Sequence, residues 1–145
     1  SYVYNWSVIS EKETISLSFS ASKEESKSKD DWSKLVGWTC GLIEPLIVKR
    51  IVDQIFSRGE NVKIGDVEFS KQGYSKMKFK LFGENEKLMV NWSDTIYIPK
   101  LHQGSVILWK NKDGNSEEFA TIAMSTPNAV LLPELVQACY DNREK

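Results

Sequence analysis

Residues 2–9 and 14–20 alternate apolar and polar positions, most cleanly in "TISLSFSAS", where Ser and Thr separate Ile15, Leu17 and Phe19. Period two marks a strand with one buried face, so the two runs predict a hairpin turned by the polar "SEKE". "SKEESKSKDD", Ser22 to Asp31, holds no apolar residue and predicts a solvated loop. A helix is expected to start at Asp30 or Asp31, either of which can cap it, and to run to about Phe56. Leu35, Trp38, Leu42, Leu46, Val52, Ile55 and Phe56 fall near helical spacing and would form its core-facing side. Pro45 removes an amide donor inside that stretch and predicts a kink or a split into two helices. Gly59 in "SRGE" suits the residue just past the C-terminus.

From Val62 onward the pattern is of strands. "NVKIGDVEFS" carries Val62, Ile64, Val67 and Phe69 around a bulge or turn at Gly65-Asp66. "YSKMKFKLF" alternates, "GENE" turns the chain and "KLMVNW" returns. "DTIYIPK" is a strand, "HQG" a turn, "GSVILWK" a strand, "NKDGN" a hairpin turn and "EEFATIAM" the last strand. "STPNAVLLPELVQACYDN" closes the chain as a helix, with Asn128 in the entry and Pro133 in the first turn. Leu132, Leu135, Val136, Cys139 and Tyr140 share one of its faces.

The composition narrows this picture without naming a reaction. With 145 residues, 41% of them hydrophobic, the chain can bury a real core. Lys and Arg number 19 and Asp and Glu 20, so the net charge of -1 provides no global pull toward nucleic acid or an anionic membrane; any such attraction would have to come from a local patch, and nucleic acid is not expected as a partner. The longest apolar run, Leu35 to Val48, contains Glu44 and Pro45 and is shorter than the ~20 residues of a membrane span. It reads as a core helix. Two cysteines, Cys40 and Cys139, and a single histidine supply no metal-ligand cluster; the cysteines read as buried thiols, with a disulfide as the alternative. No cofactor is expected. The chain starts at Ser1 without a signal-peptide pattern and reads as a piece of a longer protein, expected in the cytoplasm or at the periphery of a membrane.

Residues 1–58 and 59–145 both end on hairpin, linker and closing helix, which suggests an internal repeat with a truncated first copy. The trio Asn-Trp-Ser occurs at Asn5–Ser7 and Asn91–Ser93. It reads as two strands with similar jobs. Trp92 would be a core aromatic, and Ser93 or Asp94 would satisfy the turn. Glycosylation of Asn5 or Asn91 would require secretion, for which nothing in the sequence argues.

Four stretches carry a family resemblance: "VKIGDVEFSKQGYSKMKF", "VNWSDTIYI", "NKDGN" and "IAMSTPNAVLLPELV". Together they resemble a pleckstrin-homology-like domain over residues 59–145, and in particular uncharacterised proteins with two such domains in tandem. The resemblance implies an α+β fold: an antiparallel split barrel or sheet of six to seven strands closed by a C-terminal helix. A β-hairpin and a long, kinked helix precede it. Residues 1–58 would be the end of a preceding copy. Six strands are legible against the family's usual seven, and the N-terminal hairpin would fill the gap. Exposed edges of the truncated copy would suit a homodimer.

The resemblance implies a non-enzymatic module that binds a protein or a membrane surface. In phosphoinositide-binding members, basic residues of the first two strands and their loop hold the phosphates. Lys71, Lys76 and Lys78 match that position, with Lys80 farther from the loop. On a strand, Lys76, Lys78 and Lys80 point to one face. No Arg, the better bidentate phosphate ligand, accompanies them. The competing reading is a solvated face that guards against edge pairing. Trp109 beside Lys110 on a hairpin is a second candidate contact for a partner. His102, in a turn, is the residue on which any small hydrolase would have to rely. The carboxylate pairs Glu24-Glu25, Asp30-Asp31 and Glu117-Glu118 lie in polar stretches without an apolar pocket, and Glu44 reads as a helix residue.

Overall fold

The computed structural model describes residues 2–9, 14–21, 26–95 and 99–144, with side chains for residue 30 and from residue 32 on. It divides into two compact units, Ser1–Glu44 and Pro45–Lys145.

In the first unit, β1 (Tyr2–Ile9) and β2 (Thr14–Ala21) form the expected antiparallel hairpin, in register from Tyr2↔Ala21 to Ile9↔Thr14. Its turn at 10–13 lies outside the described residues. Helix α1 spans Ser26–Trp38, so it begins four residues ahead of Asp30 and takes in six of the ten residues expected to be a loop. Charge does not exclude helix: Asp30 and Lys34 pair at 2.9 Å across one turn. A π-helical segment, Thr39–Ile43, follows, and the Glu44 amide bonds to the Thr39 carbonyl five residues back. Pro45 has no amide hydrogen to offer the carbonyl four residues back, so the ladder changes register in the turn before it. Two helices result. The second, α2, spans Glu44–Phe56, and all but its first residue belongs to the second unit.

The apolar run Leu35–Val48 is not the core helix its composition suggests. Trp38, Leu42 and Leu46 are exposed, and Val48 alone in the run is buried. The face of α2 that reaches the core is Val48, Ile51 and Ile55, with Val52 and Phe56 at its flank. Several faces of this helix are apolar enough to bury, so packing made the choice. Past Phe56, the Glu60 amide reaches the Gln54 carbonyl at 2.9 Å and Gly59 takes φ +69°, a glycine-terminated helix end.

The second unit continues with β3 (Val62–Ile64), β4 (Val67–Phe69), β5 (Gly73–Lys78) and β6 (Glu86–Asn91), paired in that order as a four-stranded antiparallel sheet. Then β7 (Lys100–His102), β8 (Ser105–Lys112) and β9 (Asn115–Ala123) form a three-stranded antiparallel sheet, and α3 (Leu132–Asn142) ends the chain. Gly65-Asp66 is a turn rather than a bulge, so the described residues between 62 and 123 hold seven strands where the sequence showed six. The hairpin β1–β2 fills no gap; it is a sheet of its own. Of the strand expected in "DTIYIPK", residues 96–98 lie outside the described residues. Asp113 and Gly114, at φ +52° and +84°, make the two-residue turn that "NKDGN" predicts.

Both sheets, α2 and α3 contribute to one buried cluster. Tyr74 lies at its centre, with ring centroids 5.5 Å from Trp92, 5.4 Å from Phe119 and 5.9 Å from Phe69. Among the described residues no strand pairing joins the two sheets, so the fold is α+β without a closed barrel. Helix α3 buries Leu132, Leu135, Val136 and Cys139, with Tyr140 half-buried. Asn128 enters at φ +66° and Pro133 sits in the first turn, as expected. The sequence pattern put a boundary at 58/59. The units divide at 44/45 because α2 shares its core with the strands.

Candidate functional site

The lysine-bearing strand β5 is built around Gly73. A Cβ there would lie 1.9 Å from the Val90 carbonyl oxygen on β6, so only glycine allows the backbones to approach this closely. From Gly73 on, residues opposite one another across the ladders share a face. Val67 pairs with Lys76 and Phe69 with Tyr74; on the other side Tyr74 pairs with Val90 and Lys76 with Leu88. Val67, Phe69, Tyr74 and Val90 are all buried. The face that bears the lysines is therefore the inner one. Lys76 and Lys78 continue the core side of β5 past the edge of the core, and Met77 points outward. Lys76 is half-buried there, and Lys78 remains exposed to solvent.

The mouth between the two sheets is an open cleft of about 430 Å³, lined among others by Lys76, Lys78, Leu88, Lys110, Glu117 and Phe119. Its far wall depends on an irregularity. The register of β8 and β9 shifts between Leu108 and Trp109, so Leu108 faces Ala120 but Trp109 faces Glu118. Phe119 is the extra residue, and the slip turns Phe119 and Glu117 to the cleft. Lys76 Nζ stands 5.1 Å from the centre of the Phe119 ring, a cation–π contact. Lys110 and Lys112 each place Nζ 3.4 Å from the same oxygen of Glu117. Desolvation pushes the Glu117 carboxyl up, but the hydrogen bond from Lys112 and the charges of Lys110 and Lys112 outweigh it, and the carboxyl is held below its ordinary value. The Tyr74 hydroxyl donates to the Trp109 carbonyl and ties the two sheets together. Burial raises its pKa, and hydrogen bonding to Thr95 lowers it partway.

The four lysines do not converge. Lys71 lies exposed in the turn before β5, and Lys78 lies at the far end of the strand. Five residue steps at ~3.3 Å separate Gly73 from Lys78, about 17 Å along the strand. The turn between the first two strands of this sheet, Gly65-Asp66, carries no lysine, so the match of Lys71, Lys76 and Lys78 to those strands is displaced to the second and third. Lys80 lies beyond β5 and pairs with Glu86 at 3.1 Å. Lys76 and Lys78 share the cleft; Lys71 and Lys78 have no ion-pair partner among the described residues.

The hairpin beyond β5 holds what the alternation concealed. The strand ends at Lys78, not at Phe82, and β4 pairs with it only as far as Lys76. The pairs Met77↔Lys87 and Lys78↔Glu86 and the loop 79–85 therefore extend past the end of β4. Phe79, Leu81 and Phe82 are 78%, 97% and 93% exposed, and Met77 and Met89 are exposed on the outer face. The legible signal was the adjacent pair Leu81-Phe82, which breaks period two just before Gly83.

The remaining candidates are dispersed. Trp109 is half-buried rather than exposed, and Lys110 is committed to Glu117. His102 is exposed and ends β7 rather than lying in the turn. Cys139 is a buried thiol, pushed up to about 12 by desolvation, which keeps it from the thiolate a nucleophile needs. Cys40 is exposed, not buried, with Sγ 3.6 Å from Glu44 Oε1. Among the described residues no group of three or more His, Cys, Asp or Glu could hold a metal ion, and no helix is long and apolar enough to cross a membrane. Glu24 and Glu25 lie outside the described residues.

Trp92 of the second trio is buried and donates Nε1 to the Ser70 carbonyl at 3.1 Å. The turn after it is held by the Thr95 amide on the Trp92 carbonyl at 3.3 Å and by Asn91 on the Asp94 carboxylate at 3.5 Å, not by a side-chain cap from Ser93 or Asp94. The first trio lies in β1, opposite Ser16–Ser18; its side chains are outside the described residues. No family model, curated protein or solved structure matches this chain.

Proposed function

We propose that the chain is a non-enzymatic binding module of pleckstrin-homology-like design that engages a membrane or protein surface. One observation carries the reading. A four-stranded meander, a three-stranded meander and a C-terminal helix follow one another around a single core, and exposed Lys71 and Lys78, without ion-pair partners among the described residues, lie before and at the end of its third strand, β5. Seven strands and a closing helix are what the family resemblance implies for residues 59–145. The hairpin and helix of residues 1–58 would then be the end of a preceding copy. The separation of Lys71 from Lys78 favours an extended anionic surface over one headgroup held in a pocket. Capture of a single phosphate is the second reading, favoured by Lys76 and Lys78 in one cleft. A hydrolase would rely on His102, exposed at the end of β7.

Vesicle sedimentation tests the reading. The protein should pellet with phosphatidylcholine vesicles that contain phosphatidylserine or a phosphoinositide, and Lys71→Glu/Lys78→Glu should reduce the pelleted fraction severalfold, since each basic residue near an anionic surface contributes about 1 kcal/mol. Equal pelleting of the variant would remove the lysines from the interaction. Preference for one phosphoinositide, lost in Lys78→Glu alone, would instead favour the pocket.

A further inference from the structure

We infer that the tip of the β5–β6 hairpin is a membrane wedge: Phe79, Leu81 and Phe82 enter the acyl boundary of an anionic lipid surface while the neighbouring lysines stay at the headgroups. The inference rests on the surface-binding reading above and gives that surface a chemistry. Exposed apolar side chains are normal when scattered, but here five large ones, Met77, Phe79, Leu81, Phe82 and Met89, belong to one hairpin among the described residues. Three of them fall within four consecutive positions, on the part of the hairpin that extends past the end of β4. Folding draws no burial from Leu81 or Phe82, at 97% and 93% exposed.

Shape and charge favour lipid over a protein partner. A protein groove recognises an apolar stripe on a strand or helix face. Here the most exposed groups stand at the end of a hairpin, where a deformable interface can surround them. Interfacial elements pair such groups with basic residues that remain in the headgroup layer. Residues 76–87 supply four lysines, Lys76, Lys78, Lys80 and Lys87, against Glu84 and Glu86. Lys78 has no ion-pair partner among the described residues, and the Lys80–Glu86 pair is about half exposed on both sides, so an anionic surface can compete for its lysine. Apolar insertion is not screened by salt, whereas the lysine contribution is.

The experiment uses the whole chain and phosphatidylcholine vesicles with and without phosphatidylserine, at low and high salt. Phe79→Ser/Leu81→Ser/Phe82→Ser should weaken binding about tenfold or more, leave the melting temperature unchanged, and abolish whatever binding survives high salt. Phe82→Trp should gain fluorescence quenching by lipids brominated on their acyl chains, relative to the wild type. Wild-type binding by the Ser variant, or no gain in quenching, overturns the wedge. If Lys71→Glu/Lys78→Glu alone then abolishes binding, the surface reading stands without the wedge. If the wild-type protein binds no vesicle, the wedge and the membrane arm both fall, and a change of oligomeric state in the Ser variant would assign the tip to protein contact.

Discussion

Gly73, Trp92 and Glu117 each show a single residue deciding geometry around it. Gly73→Ala would set a methyl group 1.9 Å from the Val90 carbonyl oxygen, and backbone cannot yield as a side-chain end can. The expected loss is about 2–3 kcal/mol, read from the midpoint of urea unfolding. Trp92 combines burial with one hydrogen bond to Ser70. Trp92→Phe should cost about 1–2 kcal/mol and Trp92→Ala about 3–5 kcal/mol, so the difference between the two measures ring packing apart from the donor. For Glu117 the folded carboxyl is held below its ordinary value by Lys112 and Lys110, against desolvation. Its contribution is therefore present above the unfolded carboxyl pKa and is lost as pH falls through the lower folded one. Glu117→Gln should flatten the acid limb of a stability-versus-pH curve, lowering stability at pH values above that window and changing little below it, where the wild-type carboxyl is protonated. An unchanged acid limb would mean that Glu117 does not feel the two lysines.

Among the elements, period and face came apart in β5. The alternation of Lys76, Met77, Lys78 and Phe79 was legible, but which set points inward was not. Amphipathic alternation normally puts the apolar set inside. The core stops near Lys76, so its inner face continues as lysines and its outer face as Met77, where no second layer covers it. The bulge at Phe119 acts in the same way on the other sheet: "EEFATIAM" alternates well enough to be a strand, yet one inserted residue turns Glu117 toward the cleft. In α3 pattern and packing agree. Leu132, Leu135, Val136 and Cys139 were grouped from spacing alone and are all buried. Cys139 should accordingly resist alkylation at mildly basic pH, its thiol at about 12, and react only on unfolding, whereas exposed Cys40 should react first. Mass spectrometry after a timed pulse of iodoacetamide distinguishes the two sites, and equal labelling would place Cys139 outside the core.

For the molecule as a whole, local signals named the pieces and long-range contacts assembled them. The N-terminal hairpin, the break before Pro45, the "NKDGN" turn and the closing helix were all readable, because each is set by neighbours a few residues away. Alternation, glycines and proline by themselves determine that this chain is an α+β protein with antiparallel strands and a C-terminal helix. The tertiary structure alone decided that α2 presents Val48, Ile51 and Ile55 to the core and leaves Leu46 in water. It also decided that the four lysines are spread over β5 and the segments on either side of it and that Phe79, Leu81 and Phe82 are left without cover. The physical reason is common to these cases. Apolar character says that a side chain gains by leaving water, but not where a matching surface exists, and that depends on residues tens of positions away.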